Sequence, residues 1–172
     1  GEVVRFDPAT GTSTSVFLGG NPQQVAFDGQ YIWVTRSSGN AVSKIRPSDL
    51  AIMATVTGIS GADAIAFDGS YIWVGGSGTT IAPTLYKIDS QTNAIVKNVV
   101  GLATIGGLAF DGIHLYASGS SANYLYKVDV FNGDIRGSIS LGASASPRGI
   151  AYDGSHIWVV SSGLNNVRKL IV

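Results

Sequence analysis

The acidic residues are the first candidates for chemistry in this 172-residue chain. Glu2 is its only glutamate, and four of its ten aspartates stand before glycine in a recurring phrase. A glycosidase needs two carboxylates that face one bond, whereas Asp before Gly is typical of turns, because the Asp side chain accepts hydrogen bonds from nearby backbone N–H groups. We therefore predict turn roles for Asp28, Asp68, Asp111 and Asp153, and also for Asp7, Asp49, Asp89, Asp129 and Asp134.

The two histidines and the absence of cysteine add little chemistry. His114 and His156 occupy the position that Tyr31 and Tyr71 take in the same phrase, which favours a packed aromatic ring with a polar tip. No His, Asp or Glu accompanies them at the spacing of metal ligands. The lack of Cys removes thiolate chemistry and disulfides. We predict no catalytic residue, no metal site and no cofactor.

A nine-residue phrase indicates the architecture. AFDGQYIWV, AFDGSYIWV, AFDGIHLYA and AYDGSHIWV place their aspartates at intervals of 40, 43 and 42 residues. A period near 40 residues is typical of propeller blades. Each repeat contains four short apolar stretches, which we name strands A to D, and Asp-Gly between A and B predicts a type I′ hairpin with positive φ at both residues. Trp33 and Ile32 point to opposite faces, so each sheet must be covered on both sides, as stacked blades are.

The predicted fold is therefore an all-β propeller of four-stranded antiparallel blades. About four repeats of about 42 residues would form a four-bladed ring, or an arc or half of a larger propeller. The chain divides into residues 1–22 (strands C and D of a composite blade), the repeats 23–62, 63–105 and 106–147, and residues 148–172 (strands A to C). One strand is in excess, because EVVRF and NVRKL are both strand C. An unpaired strand edge invites pairing with another chain.

Two columns of side chains recur along the repeats. We interpret Trp33, Trp73, Tyr116 and Trp158 as core between blades rather than as a sugar platform. The long side chains of strand C should lie over apolar neighbours with their charged tips in water; they are Arg5, Lys44, Lys87, Lys127 and Lys169.

Ligands of propellers usually meet the face formed by the D–A and B–C loops, where the residues that depart from the repeat are the candidates. Those residues are Gln23, Arg36, Asp63 and Arg148. The Ser/Gly/Asn-rich stretches SSGN, GSGTT, GSSAN and SSGLNN are predicted to be the B–C loops.

Several stretches resemble known repeat families. PRGIAYDGSHIWVVSSGLNNVRKL is similar to an NHL-type blade, and TLYKIDSQTNAIVKNVVG is similar to strands C and D of YVTN-type surface-protein propellers. The resemblance implies a propeller fold and a range of functions that includes binding modules, surface-layer proteins and a few lyases and hydrolases. The lyases use histidine and glutamate at the central channel, and this chain has no matching glutamate there.

The charge and composition of the chain argue against two classes of partner, nucleic acids and the membrane interior. The formal net charge is zero, which argues against a nucleic-acid binder, and no apolar run approaches the roughly 20 residues of a membrane span. The chain starts at Gly1, so we expect a processed or excised piece of a parent chain. Our leading hypothesis is a non-catalytic interaction or assembly module, extracellular or on a cell or virion surface, that self-associates through its terminal strands. The alternatives are a glycan- or peptide-binding propeller and a propeller lyase or hydrolase.

Overall fold

The computed structural model describes residues 1–77 and 84–171. The B–C loop predicted for the second repeat lies partly outside this range, as does Val172. The strands are short, and almost every one matches an apolar stretch of a repeat. They are β1 (Glu2–Phe6), β2 (Ser13–Phe17), β3 (Pro22–Phe27), β4 (Ile32–Arg36), β5 (Ala41–Ile45), β6 (Ile52–Thr57), β7 (Ala64–Phe67), β8 (Tyr71–Gly75), β9 (Leu85–Asp89), β10 (Ile95–Val99), β11 (Ile105–Phe110), β12 (His114–Gly119), β13 (Tyr124–Asp129), β14 (Ile135–Ser140), β15 (Pro147–Tyr152), β16 (His156–Ser161) and β17 (Asn166–Ile171).

The strands form antiparallel blades in chain order, which confirms the predicted all-β propeller fold. The first blade is β3–β6, the second β7–β10 and the third β11–β14, each four-stranded, whereas the fourth blade, β15–β17, has three strands. β1 and β2 form a separate two-stranded sheet, here called the N-terminal hairpin. The A strands are innermost, since β3 packs on β7, β7 on β11 and β11 on β15. Within the described residues, no strand pairing joins the N-terminal hairpin to the fourth blade.

The turn between strands A and B differs from the predicted type I′ hairpin. Gly29 has φ +96°, but Asp28 is not among the residues with positive φ. The Asp28 carboxylate accepts the N–H groups of Gln30 and Tyr31 at 2.8 and 2.6 Å. This side-chain cap holds a four-residue loop, so only glycine needs the left-handed conformation. The same arrangement recurs in the other three repeats, and the prediction of positive φ at both positions was wrong.

The blades cover each other as their two-sided apolar pattern predicts. Trp33 shares a buried cluster with Ile65 and Ile72 of the second blade. Ile32 and Val34, on the opposite face of the same strand, pack in a different cluster with residues of the N-terminal hairpin. The first blade therefore packs one face on the sheet before it and the other face on the blade after it.

Candidate functional site

The turn aspartates have a second role that sequence reasoning missed. Besides capping the turn, Asp28 accepts a hydrogen bond from Trp33 Nε1 at 2.7 Å. The Asp68–Trp73 and Asp153–Trp158 pairs repeat this bond, also at 2.7 Å. The constant interval from Asp to Trp in three of the four repeats was the sequence feature that could have revealed it. The pairs Asp28–Trp33, Asp68–Trp73 and Asp153–Trp158 are thus structural units of the blades.

The lysines of strand C connect each blade to the next one. Lys44 Nζ donates to the Ser90 carbonyl at 2.7 Å, and Lys87 Nζ donates to the Val130 carbonyl at 2.6 Å. Both acceptors lie in the C–D turn of the following blade. Lys44 and Lys87 are buried, so for these two the expectation of charged tips in water was wrong. The reason is that a turn of the next repeat offers carbonyl groups that replace water.

Arg5 makes the equivalent contact from the N-terminal hairpin. Its Nη1 donates to the carbonyls of Pro47 and Ser48 in the C–D turn of the first blade, both at 2.7 Å. The hairpin therefore stands where a preceding blade would stand, although only its strands C and D are present. Lys169, at the other end of the chain, is exposed.

Hydrogen bonds and burial shift several pKa values. Burial acts to raise the pKa of Asp28, but the bonds from the Trp33 indole and the Tyr31 amide outweigh burial and lower it. The Trp158 indole and two backbone amides lower the pKa of Asp153 to about 2. Burial, followed by the charge of Asp111, raises the pKa of Tyr116 to about 12. These carboxylates are charged acceptors at neutral pH, and the phenol is neutral.

The histidines lie beside their own turns. His114 Nδ1 is 3.8 Å from Asp111 Oδ2, and His156 Nδ1 is 3.6 Å from Asp153 Oδ1. The two rings belong to different blades. Across residues 1–77 and 84–171, no group of three or more His, Cys, Asp or Glu side chains could hold a metal ion. No helix in that part of the chain is long and apolar enough to cross a membrane.

Two of the four candidate ligand residues, Asp63 and Arg148, interact through their charges without forming an ion pair. Asp63 and Arg148 each stand five residues before the Asp-Gly turn of their own blade, and Gly106 takes that position in the blade between them. A Cβ on Gly106 would lie 3.1 Å from the Pro147 carbonyl oxygen, so a larger residue there would crowd the backbone of the fourth blade. Burial raises the pKa of Asp63, and the charge of Arg148 opposes that rise.

The other two candidates make local contacts. Gln23 Nε2 donates to Ser37 Oγ at 3.1 Å. Arg36 Nη1 donates to the Leu18 carbonyl at 2.6 Å and so holds the segment that follows β2. The four residues therefore divide into one electrostatic pair and two side chains that stabilise the first blade.

The fourth blade has an open apolar face on the side of Trp158. Trp158 is 38% exposed, whereas Trp33 and Trp73, at the same position, are 0% exposed. Val167 is 58% exposed, whereas Val42, its equivalent beside Trp33, is 0% exposed. The difference arises because no blade among the described residues packs on this side of β15–β17. We call this surface, formed by Trp158, Val160 and Val167, the C-terminal face.

The opposite end of the array also has an open apolar surface. Val25 is 61% exposed, whereas Ile65, its equivalent in the second blade, is buried beneath Trp33. Because the N-terminal hairpin lacks strands A and B, it leaves β3 uncovered. An apolar cavity of about 250 Å³ lies there, lined in part by Val3, Val25 and Ile32. We call the surface of Val25, Phe27 and Ile32 the N-terminal face.

Comparison with known proteins gives the fold. No protein-family model and no curated protein matches the sequence. Among solved structures, a catalytically inactive variant of virginiamycin B lyase from Staphylococcus aureus with quinupristin is similar at TM-score 0.83 and 20% identity, over 99% of this chain and 59% of that one. A streptogramin B lyase is similar at TM-score 0.75 and 18% identity, over 95% and 59%. The computationally designed Ika4 protein is similar at TM-score 0.75 and 12% identity, over 91% and 94%.

The chain thus spans about three-fifths of the length of these lyases. Virginiamycin B lyase-type propellers are among its structural neighbours, and at these identities the likeness shows the propeller fold alone.

Proposed function

We propose that this chain is a non-catalytic interaction module that binds further copies of itself, with the C-terminal face of one copy packed on the N-terminal face of the next. The equivalence of repeat positions carries the proposal. Trp33 is buried with Ile65 and Ile72 of the following blade. Trp158 is the equivalent of Trp33, while Val25 and Ile32 are the equivalents of Ile65 and Ile72. Each chain therefore carries one half of the blade interface at each end.

The chemistry of the open faces supports this function. Trp158 supplies a large aromatic side chain with a polar N–H, the type of residue that dominates binding energy in protein interfaces. A contiguous apolar surface of this kind marks an interaction site. The turn carboxylates of Asp28, Asp68 and Asp153 are already engaged by indole and backbone donors, which favours a structural role over acid–base catalysis. Similarity to NHL- and YVTN-type propellers, with a Ser/Thr-rich surface of low charge, supports a location outside the cell or on its surface.

Light scattering coupled to size-exclusion chromatography tests the proposal. The wild-type chain should show a mass above 17.8 kDa that rises with concentration. Trp158→Ser should lower that mass to the monomer, because it removes the centre of the C-terminal face. Ile113→Ser is the matched control, since Ile113 is an exposed apolar residue on an A–B turn away from both faces, and it should leave the mass unchanged. A wild-type chain that stays monomeric at every concentration would refute self-association.

A second candidate function is binding of a glycan or peptide beside Asp63 and Arg148. The observation in its favour is the charge interaction between the Asp63 carboxyl and the Arg148 guanidinium, which both stand at the repeat position that Gly106 takes in the third blade. Such a pair can accept and donate hydrogen bonds to a polar ligand. Screening a glycan array with the wild type, Asp63→Asn and Arg148→Ala tests it: binding lost in both variants supports the site, and an array without binding by any of them opposes it.

A further inference from the structure

We infer that association proceeds by strand exchange. β2 of one copy separates from its own β1 and pairs with β17 of another copy. It thereby becomes strand D in the fourth blade of that other copy. This inference rests on the proposed self-association and specifies its geometry. The occupant of the vacant strand position is thus a second copy of the chain.

The fourth blade already has its first three strands in place. β15, β16 and β17 pair in register, and Lys169 Nζ lies 5.4 Å from the Trp158 ring centroid. Lys87 Nζ lies at the same 5.4 Å from Trp73 in the complete second blade. β17 therefore occupies the position of strand C, and its outer backbone edge has no partner in the described residues.

A cavity adjoins this vacant position. In the second blade, strand D contributes Ile95 to the cluster around Trp33 of the first blade. The part of the chain that the structure describes contributes no strand D to the fourth blade. A cavity of about 250 Å³ lies over Tyr116 of the third blade and is also lined by Leu125, Lys127 and Ile139. An added strand D would cover the outer part of the third blade as Ile95 covers that of the first.

β2 is the strand that fits this position. Val16 of β2 packs with the cluster of Val34 and Ile45 in the first blade, so β2 is already the D strand of a blade that precedes the first one. Addition of β2 to β17 keeps that contact. It also places the first blade of the copy that donates β2 directly after the fourth blade of the copy that accepts it. Strand addition of this kind supplies backbone hydrogen bonds along the whole edge.

β1 is the strand that is displaced from β2 in this exchange. Four of its five residues are exposed, and it is held by β2, by the packing of Val3 against the first blade and by the Arg5 contact with Pro47 and Ser48. β17 offers the same side-chain type at the same position, because Lys169 corresponds to Arg5 in the strand C column. After exchange, the Lys169 ammonium would donate to the turn carbonyls that Arg5 occupies. The same turn thus keeps a cationic donor.

The register follows from the N-terminal hairpin. Val4 pairs with Ser15 and Arg5 pairs with Thr14. Since Arg168 and Lys169 correspond to Val4 and Arg5, Arg168 should face Ser15 of the second copy and Lys169 should face Thr14. A shift by one residue would turn the faces of β2 over and expose Val16.

Engineered cysteines test this register, because the natural chain has none. Arg168→Cys and Ser15→Cys are made in separate chains, mixed and oxidised at low protein concentration. A disulfide-linked dimer of the two different chains is the expected product. The control mixes Arg168→Cys with Asn98→Cys, which lies at the equivalent exposed position of β10 and already belongs to a complete blade; it should give no dimer. Equal yields in both mixtures would overturn the inference.

Deletion of residues 1–6 provides a second test. Removal of β1 frees the inner edge of β2, so the dissociation constant should fall by about tenfold, as expected when a competing arrangement is removed. If the intact hairpin instead displaced β17, the deletion would abolish association and overturn the inference.

The two proposals fail in different ways. If the wild-type chain never associates, self-association itself is refuted. If it associates but the Arg168→Cys and Ser15→Cys chains form no disulfide, only the strand exchange is refuted. A chain with both cysteines that closes an intramolecular disulfide when dilute would show a ring within one molecule and contradict exchange between copies.

Discussion

At the scale of single residues, the aspartates of three A–B turns join the turn to the blade core. One carboxylate oxygen of Asp28 caps two backbone amides, and the other accepts the Trp33 indole N–H. A buried indole donor without an acceptor would be costly, so the carboxylate stabilises the position of the ring in the blade interface.

Replacing Trp33 by Phe tests the contribution of this bond. The variant keeps an aromatic ring but removes the donor to Asp28, so the free energy of unfolding should fall by about 2 kcal/mol, the scale of a hydrogen bond to a charged acceptor. Urea denaturation measures the change. Trp158→Phe is the matched control: its bond is more exposed to solvent, so its loss should be smaller, and equal losses would contradict the assigned role.

The lowered pKa of Asp153 predicts acid sensitivity. Its folded-state pKa is about 2, below the ordinary value of 3.8, so its contribution to stability is complete above that ordinary value and is lost as the pH falls through about 2. The hydrogen bond from Arg46, within their ion pair, likewise lowers the pKa of Asp49 to about 2. Urea denaturation at a series of pH values should show stability falling over this window. Asp153→Asn should reduce the slope, and an unchanged slope would be inconsistent with the assignment.

The roles of single residues were easier to predict from the sequence than the residues they contact. The turn role of the aspartates was predictable because Asp-Gly is a local pattern, and the backbone caps of Asp28 confirm it. The positive φ predicted for Asp28 was wrong because a side-chain cap competes with a two-residue turn. The charge interaction of Asp63 with Arg148 joins residues of the second and fourth blades, so it depends on three-dimensional packing that the local sequence does not show.

At the scale of elements, strand C of one blade is tied to the C–D turn of the next. Lys87 reaches across 43 positions of sequence to the Val130 carbonyl. A repeat pattern predicts the column of lysines, but the acceptor of each lysine belongs to another repeat, so its burial could not be read from local sequence. The strands themselves were predictable, because alternation and turn residues act locally.

Replacing Lys87 by Met tests this connection. Methionine keeps much of the aliphatic stem but leaves the Val130 carbonyl without its donor, which should lower the free energy of unfolding by about 1–2 kcal/mol. Thermal or urea unfolding measures it. Lys97→Met is the control, since Lys97 is an exposed lysine on the neighbouring strand, and it should be near neutral. Equal effects of the two substitutions would mean that the cross-blade bond contributes nothing.

At the scale of the whole molecule, the chain is a series of blades whose two ends are unequal and complementary. The C-terminal face presents Trp158, and the N-terminal face presents Val25, whose equivalent Ile65 packs in the buried cluster of Trp33. Such an interface is heterologous, so copies joined through it form a closed ring or a filament. The sequence predicted the surplus strand C, but the exposure of these two faces required coordinates.

The most direct measurement mixes two blocked variants. Val25→Asp disables the N-terminal face and Trp158→Asp disables the C-terminal face, so each variant alone should sediment as a monomer of 17.8 kDa. An equimolar mixture retains one intact pair of faces, and analytical ultracentrifugation should detect a species containing one chain of each variant. Association of either variant alone, or a mixture that remains monomeric while the wild type associates, would contradict head-to-tail binding.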